Sequence, residues 1–224
     1  FVAENLLKSK MALTVSESTP LEALINNYPA WIDKVGKVAA SAIDGKGALR
    51  VADELTKVSF NIQDTGQINL INYVNLNLED KLFVLEMRNH PSIKKWMHSK
   101  DDISLDDHIA FINELKKNKD KKYFLVKQNS TIIGCINFSA IKEDSTEFGI
   151  YSNPFLDRKG TGYILEQSGE EFAKSKLGVN VINLEVLKNN THAIDFYKRA
   201  GYKLIPQRDY RSSGLLNFEK KLKL

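Results

Sequence analysis

The stretch NPFLDRKGTGYILEQSGEEFAKSKLG, residues 153–178, places two glycines at the entrance of an amphipathic helix. The first turn of a helix has backbone N–H groups without intrahelical partners and carries partial positive charge. Gly160 and Gly162 would let a ligand approach those N–H groups, and Arg158 and Lys159 add cationic side chains. The stretch therefore predicts a phosphate site. For an isolated motif this short, a glycine-rich turn without a ligand is the commoner interpretation.

Around this helix, the hydrophobic patterns predict a mixed α/β domain. A strand over NLINYVNLN precedes two helices, EDKLFVLEMRNH and DDHIAFINELKKN, and then three strands, YFLVKQ, TIIGCINFSAI and STEFGIYS. After the glycine-opened helix come the strand VINLEVL, the helix HAIDFYKRAG, and two final strands within YKLIPQRDY and LLNFEKKL. The predicted order is strand, two helices, three strands, helix, strand, helix and two strands.

The amino-terminal part of the chain has a different pattern. Apolar residues recur at helical spacing up to about residue 57, and no alternating strand is visible there. Residues 58–66 are polar and linker-like in composition. We therefore predict a helical appendage over 1–57, a linker over 58–66 and the main domain over 67–224.

Composition narrows the class of protein. Lys and Arg number 32 against 28 Asp and Glu, and their spread along the chain does not indicate a nucleic-acid partner. No run approaches the ~20 apolar residues of a membrane helix, and the first residues lack the order of a secretory signal. We expect a cytoplasmic protein without a membrane partner or a metal site. Cys135, the one cysteine, is expected to be buried and without a chemical role.

A second stretch, LEVLKNNTHAIDFYKRAGY at residues 184–202, joins a strand directly to a short helix. The helical spacing places Asn190, Ala193 and Tyr197 on one face, and Gly201 ends the helix. The strand that leads into this helix carries Glu185. Considered alone, Asn190 is a helix cap and Tyr197 a core aromatic residue.

Together the two stretches and the element order resemble the GNAT family of acetyl-CoA-dependent N-acetyltransferases over about residues 67–224. The resemblance implies an α/β (α+β) GNAT acyltransferase fold, whose mixed, mostly antiparallel sheet is flanked by helices. It also implies acetyl-CoA as cofactor, with the coenzyme A pyrophosphate on the loop formed by Arg158, Lys159, Gly160, Thr161 and Gly162. The Arg or Gln position of the family pattern holds Asp157 here, a departure that leaves the backbone donors intact.

The resemblance also implies catalytic roles. The strand before the glycine loop is expected to splay from its neighbour, so that backbone groups of Ile150 and Tyr151 hold the pantetheine arm, while Asn190 contacts the cofactor. Tyr197 matches the tyrosine that protonates the departing thiolate. Glu185 is the favoured base for the amine, through a water molecule, and Glu147 is its rival. The alternative for Glu185 is a surface ion pair with Lys203.

The run VLEMRNHPSIKKWMHSKDDISLDDHIAFINEL, residues 84–115, resembles the N-acetyltransferases of the pseudaminic acid pathway, which supplies flagellin glycosylation. This implies a nucleotide-sugar substrate, a UDP-linked 4-amino-4,6-dideoxy-N-acetyl-altrosamine that is acetylated on its 4-amino group. Substrate contacts are then expected from Arg88 and His108 (phosphates), Trp96 and Met97 (uracil or 6-methyl face), and Asn137 and Tyr151 (sugar). The alternatives are Trp96 in the core, His108 on a helix surface and Arg88 in a structural ion pair.

The first 57 residues resemble the end of the UDP-sugar hydrolase of the same pathway, which leads us to expect a fragment of a fusion without hydrolase activity. A second copy of the chain, forming a homodimer, is a further expected partner. Two other functions stay open from sequence: a GNAT enzyme that acetylates a protein α-amine or another small amine, and a coenzyme A-binding module without catalysis.

Overall fold

The computed structural model describes residues 57–62, 66–206 and 214–222. The strands of this part are β1 (Val58–Ile62), β2 (Gly66–Asn72), β3 (Lys122–Gln128), β4 (Thr131–Ser139), β5 (Ser145–Ser152), β6 (Val181–Leu187), β7 (Lys203–Ile205) and β8 (Leu215–Lys221). Its α-helices are α1 (Leu78–Asn89), α2 (Pro91–Lys94), α3 (Leu105–Leu115), α4 (Thr161–Phe172) and α5 (Thr191–Arg199). A 3₁₀ turn (Tyr73–Asn75) precedes α1, and a π-helical turn (Ala173–Leu177) extends α4.

All these strands belong to one sheet in the order β1-β2-β3-β4-β5-β6-β8-β7. Neighbouring strands are antiparallel except β5 and β6, which are parallel. The predicted mixed, mostly antiparallel sheet flanked by helices is confirmed. The predicted element order is confirmed within the described part of 67–224, except that the four-residue helix α2 was not predicted. The predicted helices of 1–57 lie outside the described residues, except for residue 57.

The stretch 58–66 is not only a linker, because it contains β1 and opens β2. β1 pairs along its whole length with β2, from Val58 opposite Leu70 to Ile62 opposite Gly66. Residues VSFNI alternate between apolar and polar, which is the pattern of a strand. The polar composition of the whole stretch made this short alternation hard to recognise. The Ser59 hydroxyl donates to Asn69 Oδ1 at 2.8 Å and adds a side-chain link between the two strands.

The sheet separates two apolar cores. On one face, α4 packs against a cluster that contains the fully buried Phe138, and Gly169 of α4 lies so close to the Phe148 ring that a Cβ would be 2.3 Å from it. On the other face, α1 and α3 pack against a cluster that contains Met87 and Cys135. Cys135 is buried, as expected. Among the described residues, no helix is long and apolar enough to span a bilayer.

Candidate active site

The centre of the sheet is split between its two parallel strands. β5 and β6 pair over only three residues, Ser145–Glu147 with Val181–Asn183. Beyond this point β5 continues along β4 to Ser152, while β6 continues along β8 to Leu187. The strands therefore separate, as predicted for the strand before the glycine loop, and each presents an edge that no other described strand pairs with.

The hydrogen-bond pattern shows which backbone groups of β5 face that open edge. The Asn153 N–H donates to the Ile133 carbonyl at 2.9 Å, just beyond the end of β5. In an antiparallel pair the hydrogen-bonded positions alternate, so the backbone groups of Tyr151 point to β4, where Cys135 lies opposite. The N–H and C=O of Ile150 point to the open edge. Of the two residues predicted to hold the pantetheine arm through their backbone, Ile150 is placed for it and Tyr151 is not.

A cavity of about 920 Å³ opens where the strands part. α1, α3 and α5, the segment between α2 and α3, and strands β4, β5 and β6 all contribute to its lining. Every residue predicted to act in catalysis or to contact the substrate lies on it: Arg88, Trp96, Met97, His108, Asn137, Glu147, Tyr151, Glu185 and Tyr197. Ile150 and Asn190, predicted to contact the cofactor, also line it. Residues from distant parts of the sequence thus meet around one space of a size that suits a small-molecule ligand.

Tyr197 is held by aromatic packing on the inner face of α5. Its ring contacts those of Phe196 and Tyr202, with centroids 5.1 and 5.3 Å away. Burial raises the pKa of Tyr197 well above its ordinary value, and the nearby Glu166 charge raises it further. The phenol therefore keeps its proton at neutral pH, which is the state a proton donor needs. Asn190 is the cap of this helix, because its Oδ1 accepts from the Ala193 N–H at 3.2 Å.

The two candidate bases lie on the two strands that part. Glu147 is the last residue of β5 that pairs with β6, opposite Asn183. Glu185 lies two positions further along β6, beyond the pairing, with a third of its side chain exposed. Within the described ranges, the basic side chain beside it is His98, whose Nε2 lies 4.0 Å from Glu185 Oε2, and the ion pair with Lys203 is not formed. Lys203 lies on β7, which pairs with β8, and its register partner there is Glu219.

Arg88, in the last turn of α1, presents a donor to the cavity wall. Its Nη2 donates to the Ser99 carbonyl at 3.3 Å, whereas its Nη1 is buried without a hydrogen-bond partner among the described residues. Burial lowers the pKa of Arg88, but a guanidinium stays charged in proteins. No carboxylate among the described residues pairs with it, so the predicted structural ion pair is not formed there. A buried cationic donor without a partner suits an anionic or carbonyl group of a ligand.

Three tyrosines that line the cavity, Tyr73, Tyr123 and Tyr151, lie near Arg88. Tyr73 and Tyr151 share a hydrogen bond between hydroxyls 3.2 Å apart, and the ring of Tyr123 lies 5.7 Å from that of Tyr73. Burial raises the pKa of each of the three. Burial also raises the pKa of the adjacent Cys135 thiol to about 11, so this thiol is protonated and a poor nucleophile at neutral pH.

His108 is not placed as predicted. It does not lie on the helix surface, because it is buried, and its Nε2 donates to the Lys81 carbonyl at 3.0 Å and is not available to a phosphate. Burial lowers the pKa of His108, so the ring is neutral at pH 7 and its Nδ1 has no proton to donate. The geometry supports a structural link between α3 and α1 rather than contact with a phosphate.

The other predicted substrate residues are open to a ligand. Trp96 is 37% exposed and lines the cavity rather than packing in the core, and the Lys95 ammonium lies 5.1 Å from its ring centroid. Met97, the next residue, is half-buried on the same wall. The Asn137 amide lies over Gly149 of β5, where a Cβ would be only 2.7 Å from Asn137 Oδ1. The missing side chain at Gly149 therefore makes room for Asn137.

The glycine loop forms a separate region, and none of its five predicted residues lines the cavity. Gly160 caps α4 with φ +84°, a left-handed conformation that favours glycine. Its carbonyl accepts from the Tyr163 and Ile164 N–H groups, so the donors left at the helix entrance are those of Thr161 and Gly162.

The side chains of the loop contribute unequally. The Arg158 guanidinium donates to the Gln128 side chain on β3, and the Thr161 hydroxyl donates to the Arg158 carbonyl at 3.1 Å. Lys159 is exposed. The backbone donors of α4, with Lys159, are therefore the groups best placed for a pyrophosphate. Within the described ranges, no three His, Cys, Asp or Glu side chains lie close enough together to hold a metal ion.

Comparisons with known proteins agree with this geometry. The profile of the acetyltransferase (GNAT) family matches residues 81–202. The acetyltransferase PseH of Campylobacter jejuni is 38% identical over 132 residues, which are 59% of this chain and 82% of that protein. The crystal structure of C. jejuni N-acetyltransferase PseH superposes with a TM-score of 0.58 at 29% identity, over 70% of this chain and 99% of that chain.

A crystal structure of the C. jejuni protein in complex with acetyl coenzyme A matches with a TM-score of 0.57 at the same 29% identity and the same coverage. The chain belongs to the GNAT family of acetyltransferases. The predicted GNAT fold, the N-acetyltransferase class and acetyl-CoA as the donor are confirmed.

Sequence reasoning missed several residues of the cavity. Gly149 lies in the predicted strand STEFGIYS, and His98 lies in the run of residues 84–115. Their roles are visible only in the structure, where Gly149 contacts Asn137 and His98 lies beside Glu185. Tyr73 and Tyr123 gave no local signal, because they join the cavity only through the pairing of β2, β3 and β4.

Proposed function

We propose that this protein transfers an acetyl group from acetyl-CoA to the 4-amino group of a UDP-linked 4-amino-4,6-dideoxy-N-acetyl-altrosamine. The observation that carries the proposal is the meeting, in one cavity, of a protonated phenol, a carboxylate and a strand edge that no described strand covers. The similarity to C. jejuni PseH, together with the resemblance of residues 84–115 to the acetyltransferases of the pseudaminic acid pathway, supports this acceptor.

The donor occupies the open edge of β5. The Ile150 N–H and C=O bond the pantetheine arm in the manner of an added strand, while the Thr161 and Gly162 N–H groups hold the pyrophosphate. Asn190 contacts the cofactor from the start of α5. When bound, acetyl-CoA supplies the activated acetyl group. Tyr197 then gives its proton to the sulfur as the C–S bond breaks.

The acceptor enters from the side of α1 and α3. Glu185, through a water molecule, takes a proton from the 4-ammonium group, and Glu147 is the rival for this role. The unpartnered Arg88 Nη1 binds the diphosphate or a carbonyl of the nucleotide sugar. Trp96 and Met97 cover the uracil or the 6-methyl face, and the Asn137 amide and Tyr151 hydroxyl contact the sugar.

The decisive experiment is incubation of the full chain with acetyl-CoA and the purified UDP-4-amino-sugar, followed by mass spectrometry. The expected result is one added acetyl group and one equivalent of free coenzyme A thiol. A peptide with a free α-amine and a polyamine, offered in parallel, represent the other acceptors. Acetylation of either in place of the sugar contradicts the proposed acceptor. Binding of acetyl-CoA with no transfer to any of the three supports a module without catalysis.

We further propose a homodimer in the cytoplasm, acting in the route that supplies flagellin glycosylation. Light scattering of the purified chain measures the first part directly, and a mass of one chain at micromolar concentration contradicts it. Fractionation of the producing cells tests the location, and loss of the acetylated sugar from flagellin after deletion of the gene tests the role.

A further inference from the structure

Acetyl transfer to an amine releases a proton that must leave the site. An alkyl amine is mostly protonated at neutral pH, so the reactants are an ammonium group and a thioester. The new C–N bond and the broken C–S bond yield an amide and a thiol, and the thiol takes one proton from the nitrogen. The remaining proton of the ammonium group goes to solvent. This requirement rests on the proposed function, in which Glu185 takes that proton first.

Glu185 has a titratable neighbour on the solvent side of the cavity. His98 Nε2 lies 4.0 Å from Glu185 Oε2, and the two side chains are 81% and 33% exposed. Both residues line the cavity. A separation of 4.0 Å is longer than a hydrogen bond, so a proton crosses it after a small side-chain rotation or through one water molecule. An exposed imidazole has the freedom for either.

The segment that carries His98 is held in place from several sides. The Arg88 guanidinium donates to the carbonyl of Ser99, the next residue. Asn89 makes two hydrogen bonds of 2.9 Å to the backbone of Ile103, and an ion pair of 2.6 Å joins Lys94 to Asp102. These contacts position the backbone on both sides of His98 while leaving its ring in solvent.

The other titratable groups of the cavity are less suited to pass a proton outward. Burial raises the pKa of the lining tyrosines, and the Nε2 of His108 is bonded to a carbonyl. Arg88 does not release its proton. Glu147 lies deeper, where β5 and β6 still pair, and His192 at the start of α5 forms no ion pair with Glu185 within the described ranges.

We infer that His98 is the proton outlet of the reaction and acts through Glu185. The ammonium group of the acceptor gives a proton to the Glu185 carboxylate, and the resulting carboxylic acid passes it to the His98 imidazole. The imidazolium then releases it to water or buffer. Glu185 returns to its carboxylate form, so one proton leaves in each turnover and no other reactant is consumed.

The test compares His98→Gln with the wild-type enzyme at several pH values and imidazole concentrations. Gln keeps a polar side chain of similar length but carries no proton near neutral pH. We expect kcat to fall about tenfold at pH 7, with the KM for acetyl-CoA unchanged. The deficit should shrink at alkaline pH, where the acceptor amine is already neutral. Added imidazole should restore the rate, because a free base replaces the missing outlet.

Two controls separate this outlet from a structural role. Lys100→Gln alters an exposed residue of the same segment outside the cavity lining, and it should keep the wild-type rate. In a Glu185→Gln background, His98→Gln should cause no further loss, since the two residues act in series. A His98→Gln enzyme with wild-type kcat, or one that imidazole does not rescue, overturns the outlet. A wild-type protein that transfers no acetyl group overturns the proposed function and the outlet with it.

Discussion

The cavity and the glycine loop each contain an arginine that the sequence assigns to phosphate binding, but their surroundings differ. In the cavity, Arg88 Nη1 is buried without a hydrogen-bond partner in the described part of the chain, so it has a hydrogen bond to offer a ligand. In the loop, Arg158 already donates to Gln128 of β3, and the α4 backbone supplies the free donors. An arginine can therefore be available to bind a ligand in the cavity, while an arginine in the glycine loop holds the loop against β3.

The largest effect should come from the cavity chemistry. Tyr197→Phe removes the phenol proton and keeps the ring that packs on Phe196 and Tyr202. We expect kcat to fall by about 10²- to 10³-fold. The affinity for acetyl-CoA, measured by calorimetry, should stay within about twofold, because the loop region is untouched. An unchanged kcat would assign the proton donor to another group.

The two arginines can be compared directly by removing each charge. Arg88→Met should raise the KM for the acceptor by about 10- to 100-fold, the range for loss of a charged hydrogen bond. Arg158→Met should change the KM for acetyl-CoA by no more than a few fold, since its guanidinium is engaged with Gln128. Steady-state kinetics with each substrate varied in turn gives both values. An acceptor KM that rises no more with Arg88→Met than with Arg158→Met would remove the distinction between the regions.

The loop itself is tested with a pair of glycines in the same conformation. Gly160 and Gly178 have φ of +84° and +69°, and a Cβ at either would meet no protein atom within 4 Å. Gly160→Ala and Gly178→Ala should each lower the free energy of unfolding by about 1–2 kcal/mol, measured by denaturant titration. Only Gly160→Ala should also weaken acetyl-CoA binding, because its added methyl group lies at the proposed pyrophosphate site. Equal binding by both variants would contradict a phosphate role for the loop.

The smallest effect should be a pH dependence of stability that originates in His108. Burial lowers the pKa of His108 below 6.5, so the unfolded chain binds its proton more readily than the folded chain. The stability that this residue contributes is complete above pH 6.5 and is lost as the pH falls through the lowered pKa of the folded state. Between pH 7 and 5, the melting temperature of wild type should drop more than that of His108→Gln. Parallel curves would mean that His108 is accommodated as a cation.

Local patterns predicted most of the fold. Helix caps, alternating strands and the glycine-opened helix each depend on a pattern of neighbouring residues. The order of these elements could therefore be predicted without the structure. β1 was not predicted because its five alternating residues are followed by polar residues, so the stretch as a whole has the composition of a linker. α2 was not predicted because it has only four residues. Elements this short have too little periodicity to stand out from the sequence around them.

The sequence predicted which residues belong to the candidate site, but not how their backbone and side chains are oriented in it. The resemblance to the GNAT family pointed to Tyr197 and Glu185, and both lie on the cavity. No pattern in the sequence states that the Tyr151 backbone pairs with β4, or that Asn137 needs the space above Gly149. These facts depend on strand register, which is decided by contacts between segments far apart in the chain.

The short pairing of β5 with β6 has a consequence for the protein without its donor. A strand edge with unpaired N–H and C=O groups is a template on which foreign strands assemble into aggregates. Here the exposed edge lies inside the sheet, with β6 diverging from it on the far side, and not on the sheet's outer rim. A foreign strand that adds to this edge would have to enter between β5 and β6, whereas an edge on the rim is open to solvent. We therefore expect the opened centre of the sheet to favour self-association less than an exposed outer edge would.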